Sequence, residues 1–224
     1  MCGRYNLITD AQALIDFFEL TLTLFDVSEL QPRYNIAPSQ DVLIVRDTGN
    51  GRELVLARWG LVPHWSKDAK PKYSTINARA ETVAEKPTYR EAFKRKRCLI
   101  PATGFYEWSQ AGSQKTPHHI RLPEGGLFAF AGLWDHWEQE GAGFDSYSII
   151  VTSANPTMQP IHERMPVILN PVHYGTWLNT AHYNRPQLEA LLVPFGGSLE
   201  TYTVSQHVNS PKHDDPQCIE AVKD

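Results

Sequence analysis

Cysteine is scarce in this chain of 224 residues, where Cys2, Cys98 and Cys218 are the whole set. An odd number of widely spaced thiols offers neither a disulfide framework nor a CxxC metal clip, and fits reduced thiols in a cytoplasmic protein. Long apolar runs are missing as well. None approaches the ~20 residues that a bilayer requires, and MCGRYNLITD has no basic stretch followed by an apolar one, so no membrane span and no secretory leader are expected. Positive charge is not in excess. With Lys+Arg 21 against Asp+Glu 25 the formal net charge is -4, which excludes coating of nucleic acid by bulk attraction and leaves room for a local basic groove. Repeats and low-complexity tracts are absent, and the 16 prolines spread through connectors instead of marking a linker, so one domain over residues 1–224 is expected.

What is present is the composition of a globular protein, 42% hydrophobic and 11% aromatic. Residues 2–7 read as a strand. Thr9 and Gln12 then form a capping-box pattern that opens a helix through Leu14, Phe17 and Phe18. Segments 42–46 and 53–59 are apolar and β-branched around DTGNGR, which predicts a hairpin. Further strands are expected at 97–100, 104–109, 117–122, 127–137, 146–152, 166–169 and 200–205, with turns at AGSQK and EQEGAG. Short helices fit 88–95, 171–178 and 186–193. Many short strands without strand-helix alternation predict an α+β fold, a curled and mostly antiparallel sheet or barrel flanked by short helices. The run Lys94, Arg95, Lys96 and Arg97 reads as a solvated helix end or as part of a basic groove.

Cys2 follows the initiator Met1. Removal of that methionine puts a free α-amine and a thiol on one residue, and such a pair traps an aldehyde: the amine forms an imine and the sulfur closes a five-membered thiazolidine. With reference pKa values of ~8.5 for a thiol and ~7.7 to 8.0 for an α-amine, both groups are expected to react near neutrality. Intramolecular partners reach effective concentrations of ~10⁵ M or more, so ring closure should outrun release. The competing reading is a small residue at a frayed terminus. Histidines show no ligand spacing with a cysteine, and His118 and His119 point to opposite faces of a strand, so neither a metal nor a cofactor is expected.

Seven motifs decide between these readings of Cys2. MCGRY, RYNIAPSQ (33–40), WGLVPHW (59–65), INARAET (76–82), CLIPATGFYEW (98–108), VTSAN (151–155) and IHERMPVIL (161–169) occur in that order. The set resembles the SRAP family of abasic-site processing proteins, and the likeness runs from Cys2 to the VNSPKHDDPQCI segment near Cys218. The resemblance implies a DNA-protein crosslink between Cys2 and the ring-opened aldehyde of an abasic site in single-stranded DNA. It also implies that the protein shields the lesion as a monomer, with β-elimination and an autoproteolytic step as associated activities.

The resemblance carries roles to individual residues. Asn77 of INAR matches the family's active-site asparagine, whose amide would hold the sugar hydroxyls or the Cys2 amine; a turn-capping Asn is the alternative. Glu107 of GFYEW matches the family's glutamate, a proton shuttle. On an alternating strand it shares a face with Phe105 and Ser109, so a surface carboxylate competes evenly. His162 of IHERMP matches the family's histidine, and imidazole suits proton transfer to the opening sugar or to a leaving phosphate; a structural histidine, the commoner case for a lone His, is the alternative. For DNA the resemblance implies phosphate contacts by Arg4, Arg79 and Arg164, with structural ion pairs as the alternative. Pro38, Trp65 and Thr152 fall where the family lines its DNA channel, Trp65 stacking on bases or serving as a core Trp.

Two other classes stay open at this point. An N-terminal nucleophile amidohydrolase would use the Cys2 amine as base for its own thiol, and glutaminase activity would reveal it. A non-catalytic single-stranded nucleic-acid binder would tolerate Cys2→Ser.

Overall fold

The computed structural model describes residues 2–23, 30–71 and 73–222. In chain order its first half carries strands Arg4–Leu7 (β1), Leu20–Thr23 (β2), Arg33–Ile36 (β3), Asp41–Asp47 (β4), Arg52–Trp59 (β5) and Asn77–Arg79 (β6), with helix Ala11–Phe18 (α1) between the first two. Helix Arg90–Arg95 (α2) then leads into Arg97–Ala102 (β7), Gly104–Ala111 (β8), Gln114–Arg121 (β9), Phe128–Gln139 (β10) and Ala142–Ser153 (β11). Strands Arg164–Pro166 (β12), Ile168–Leu169 (β13) and Glu200–Thr203 (β14) and helices Tyr174–Leu178 (α3) and Arg185–Glu189 (α4) follow, before two 3-10 turns at Gln206–Asn209 and Pro216–Ile219.

Tight turns set the antiparallel pairs. The expected hairpin forms from β4 and β5, with Ile44 opposite Val55, and AGSQK and EQEGAG join β8 to β9 and β10 to β11. Ladders β10–β7, β7–β4 and β4–β5 extend this set, and a parallel pairing of β5 with β11 (Ser146 opposite Arg58) closes five strands into a barrel. Closure leaves these strands without a free edge. β7 is buried at all six positions, because the barrel interior takes one face and helices cover the other.

A second sheet runs in the order β14-β9-β8-β1-β3. Its inner face meets the barrel through Tyr5, whose ring lies edge-on to Trp59 at 5.2 Å and to Phe130 at 5.8 Å. The Tyr5 hydroxyl shares a 2.8 Å hydrogen bond with that of Tyr147, so the buried ring keeps a polar partner. Burial of each such ring is worth about 2 to 3 kcal/mol. Gly104 is required where β8 crosses β9: a Cβ there would stand 2.3 Å from His119 Nε2.

Three expectations change. The N-cap of α1 is Asp10, which accepts from the Ala13 amide at 2.8 Å, rather than Thr9. The basic run 94–97 is not one surface. Lys94 ion-pairs with Glu91 and Lys96 with Asp135, while Arg97 is fully buried and donates to the carbonyls of Phe93, Lys94, Trp177 and Asn179. Strands β2, β3 and β6 had no counterpart in the sequence pattern. Among the described residues no helix is long and apolar enough to cross a membrane.

Candidate active site

Cys2 sits just before β1 and is 0% exposed. Its thiol donates to the Arg4 carbonyl at 3.8 Å. The expectation that this thiol ionises in its ordinary range does not hold in the folded chain. Burial pushes it well up, because a thiolate there would lose its hydration, and the Glu107 carboxylate adds to the effect.

Two strands bring the predicted partners to Cys2. β6 is inserted in parallel beside β11, with Asn77 opposite Ile149, and the Tyr89 hydroxyl donates to the Asn77 carbonyl at 3.1 Å. Fixed in this way, Asn77 donates from Nδ2 to the Cys2 carbonyl at 2.9 Å. Its Oδ1 is buried and accepts no hydrogen bond among the described residues, so it is a buried acceptor with unused capacity beside Cys2. The amide is therefore a clamp on Cys2 and not a turn cap.

Glu107 arrives from β8. Antiparallel pairing sets Arg4 opposite Tyr106, and one further step in that register carries Glu107 to the level of Gly3, next to Cys2. The surface-carboxylate reading fails, since Glu107 is only 5% exposed. His162 lies on the connector between β11 and β12, where its Nδ1 accepts the Arg164 amide at 2.9 Å. In the neutral ring this leaves the proton on Nε2. Glu107 and His162 line one open cleft of about 490 Å³ with Trp108, Gln110, Lys115 and Asn209. A larger depression of about 600 Å³ around Trp134 and Phe144 touches none of the predicted catalytic residues, so size does not mark the site.

The DNA candidates separate. Arg79 is exposed at the end of β6, opposite Val151, and Arg164 stands opposite Ser153 on the other side of β11, ion-paired with Glu81. Trp65 is 57% exposed, which removes the core-Trp reading. Its loop leaves β5 at Gly60, whose φ of 128° lies in the region glycine tolerates, and is held by Asp135, which accepts from the His64 amide and ring, both at 2.9 Å. Pro38 is half-buried in the turn after β3. Thr152 is buried, its hydroxyl donating to the Leu192 carbonyl at 3.2 Å.

Arg4 is engaged as a structural clamp. Its guanidinium donates to Asn35 Oδ1 and to the carbonyls of Val208 and Asn209. Asn35 in turn holds the carbonyls of Val208, Ser210 and His213, and the Asp214 carboxylate accepts from the amides of Tyr34 and Asn35 and from Arg33. Trp108 donates to Asn209 Oδ1 at 2.8 Å. The segment 206–219 is thereby fastened beside the cleft, to whose lining it contributes Asn209. Sequence reasoning passed over Trp108, Asn209 and Lys115; the motif GFYEW contained the first, while the others come into place only through folding. It also held that no histidine stands at ligand spacing with a cysteine. Chain separation hid one such group: His207, Asp215 and Cys218 each bring a ligand atom within 4.8 Å of the others.

Comparison with known proteins adds independent findings. The family model for SOS response associated peptidase (SRAP) matches residues 1–211. The chain is 43% identical over 224 residues to the abasic site processing protein YoaM of Bacillus subtilis, covering 99% of this chain and 98% of that one. It is 31% identical to the abasic site processing protein HMCES of Xenopus tropicalis, covering 88% and 68%. A crystal structure of a Bacteroides thetaiotaomicron protein superposes with a TM-score of 0.88 at 27% identity, covering 99% of this chain and all of that one.

Proposed function

This chain belongs to the SRAP family, and from that premise we propose that it captures abasic sites in single-stranded DNA through Cys2 and holds them as a covalent adduct until repair. Removal of Met1 frees the α-amine. The ring-opened deoxyribose aldehyde condenses with that amine, losing one water to give an imine. Sulfur then adds to the imine carbon, and its proton ends on the ring nitrogen of a thiazolidine.

Since burial keeps the thiol protonated, the amine attacks first and the thiol is spent only once the imine stands beside it. Glu107 is placed to relay the thiol proton to nitrogen. Asn77 orients Cys2 through its carbonyl and offers Oδ1 to the amine or to a sugar hydroxyl. His162, with its Nε2 proton, assists opening of the sugar. Arg79 and Arg164 contact phosphates on either side of β11, Pro38 and Trp65 border the strand's path, and Trp65 stacks on a base. Arg4 adds positive charge behind Asn209, whose carbonyl it holds, and Thr152 steadies the end of β11 through the Leu192 carbonyl. The protein acts as a single copy. The same groups serve β-elimination when the imine loses the 3′ phosphate before ring closure, and autoproteolysis when Cys2 is released from Met1.

The observation that carries this reading is the contact of Cys2 with Asn77 and with the carboxylate of Glu107, which itself lines a cleft with His162. Incubation with single-stranded DNA bearing one abasic site is expected to give a species that survives heat and detergent on a gel, and Cys2→Ala is expected to abolish it. Equal adduct from Cys2→Ala would defeat the proposal. Glutaminase activity, with no adduct, would favour the amidohydrolase class instead.

A further inference from the structure

We propose that His207, Asp215 and Cys218 form a binding site for a divalent transition-metal ion of the zinc type, which staples the two 3-10 turns of the C-terminal segment to each other beside the cleft. The two 3-10 turns build the site. In the second turn Asp215 accepts from the Gln217 amide and its carbonyl takes the Cys218 amide, at 3.0 Å each, so the sequence Asp-Pro-Gln-Cys folds its first and last side chains to one side. The first turn delivers His207, whose Nε2 lies 3.0 and 3.2 Å from the two Asp215 carboxylate oxygens.

A tetrahedral ion with bonds of about 2.0 to 2.3 Å spaces its ligand atoms about 3.3 to 3.8 Å apart. The nitrogen and oxygen, at 3.0 and 3.2 Å, stand a little closer than that and need only open slightly, and all three ligand atoms lie within 4.8 Å, so the remaining approach belongs to the Cys218 sulfur. One nitrogen, one oxygen and one sulfur ligand suit a borderline-soft ion better than calcium or magnesium, and water fills the fourth position. Charge agrees with this choice. A carboxylate and a thiolate neutralise a divalent ion, which takes the place of the proton between His207 and Asp215. That proton moves to His207 Nδ1 and the thiol proton leaves to solvent.

The surroundings fix the ligands. His213 stacks on the His207 ring at 3.8 Å, with 7° between the planes, and its Nδ1 donates to the His207 carbonyl at 2.6 Å. The Cys218 sulfur donates to the His213 carbonyl at 3.5 Å, so the thiol, a weak donor, has one weak contact to give up. Arg4 binds the end of the first turn and Asn35 binds that turn and the chain that follows it, so an ion joining the two turns would stiffen the anchor that Arg4 and Asn35 use. This inference is independent of the chemistry at Cys2.

The test uses the full chain carrying Cys2→Ala, which removes the aminothiol as a competing chelator. The protein is stripped with a chelator, reduced, and titrated with cobalt(II). One equivalent should bind with a sulfur-to-cobalt charge-transfer band that zinc then removes. Cys218→Ser should lose the band, and His207→Gln and Asp215→Asn, which leave the buried cysteine in place, should each weaken binding by at least about tenfold. Absence of the band, or binding unaffected by His207→Gln and Asp215→Asn, overturns the proposal whether or not Cys218→Ser folds.

Discussion

Asn77 offers a direct way to perturb the proposed chemistry without touching the nucleophile. Its Nδ2 gives the Cys2 carbonyl a 2.9 Å hydrogen bond inside a buried site. Asn77→Asp keeps the shape but replaces the donor with an acceptor and sets a second carboxylate near Glu107. Loss of a hydrogen bond to a buried acceptor costs about 1 to 3 kcal/mol. If that clamp is made in the transition state for capture, crosslinking to abasic single-stranded DNA at saturating DNA slows by about 5- to 150-fold, with little change in DNA affinity. Single-turnover gel assays measure the rate and fluorescence anisotropy the affinity. A rate for Asn77→Asp within about twofold of wild type would refute the role assigned to this amide.

Three other outcomes are expected. His119 is held neutral by burial, with its pKa lowered from 6.5 to about 3, so the unfolded chain binds a proton that the fold refuses. Stability is complete above pH 6.5 and falls below it, by about 2 kcal/mol between pH 7 and pH 5; urea unfolding at the two pH values should show a smaller loss for His119→Gln. Asp10→Ala should lower Tm by about 2 to 4 °C in a thermal melt while Thr9→Ala leaves it unchanged, because Asp10 caps α1. Arg79→Ala and Arg164→Ala should each reduce the slope of log affinity against log salt for single-stranded DNA by about 0.7. An unchanged slope would remove that arginine from the phosphate contacts.

The hairpins were legible because a turn and its flanking strands are neighbours in the chain, and β4–β5, β8–β9 and β10–β11 appear where the turn residues set them. Strands β2, β3 and β6 were not. They are four, four and three residues long, and each is a strand only because a distant partner lies beside it. At the site, the motifs name Asn77 and Glu107, and the fold brings both to Cys2. Burial of the Cys2 thiol was invisible, since residues near a terminus are usually solvated. The clamp from Arg4 to Val208 and Asn209 spans about the whole chain, and no local pattern records it. The fate of residues 94–97 has the same cause: Arg97 lies inward only because β7 pairs on both sides with barrel strands and because α2 and the end of α3 supply its carbonyl partners.

Capture by a freed aminothiol fixes both the mass and the location of the product. Intact mass spectrometry of the protein after reaction with an abasic oligonucleotide should give protein without Met1 plus DNA minus one water, and proteolysis should put the whole added mass on the peptide that begins at Cys2. An adduct on any other residue, or one that forms while Met1 is still attached, would contradict the account.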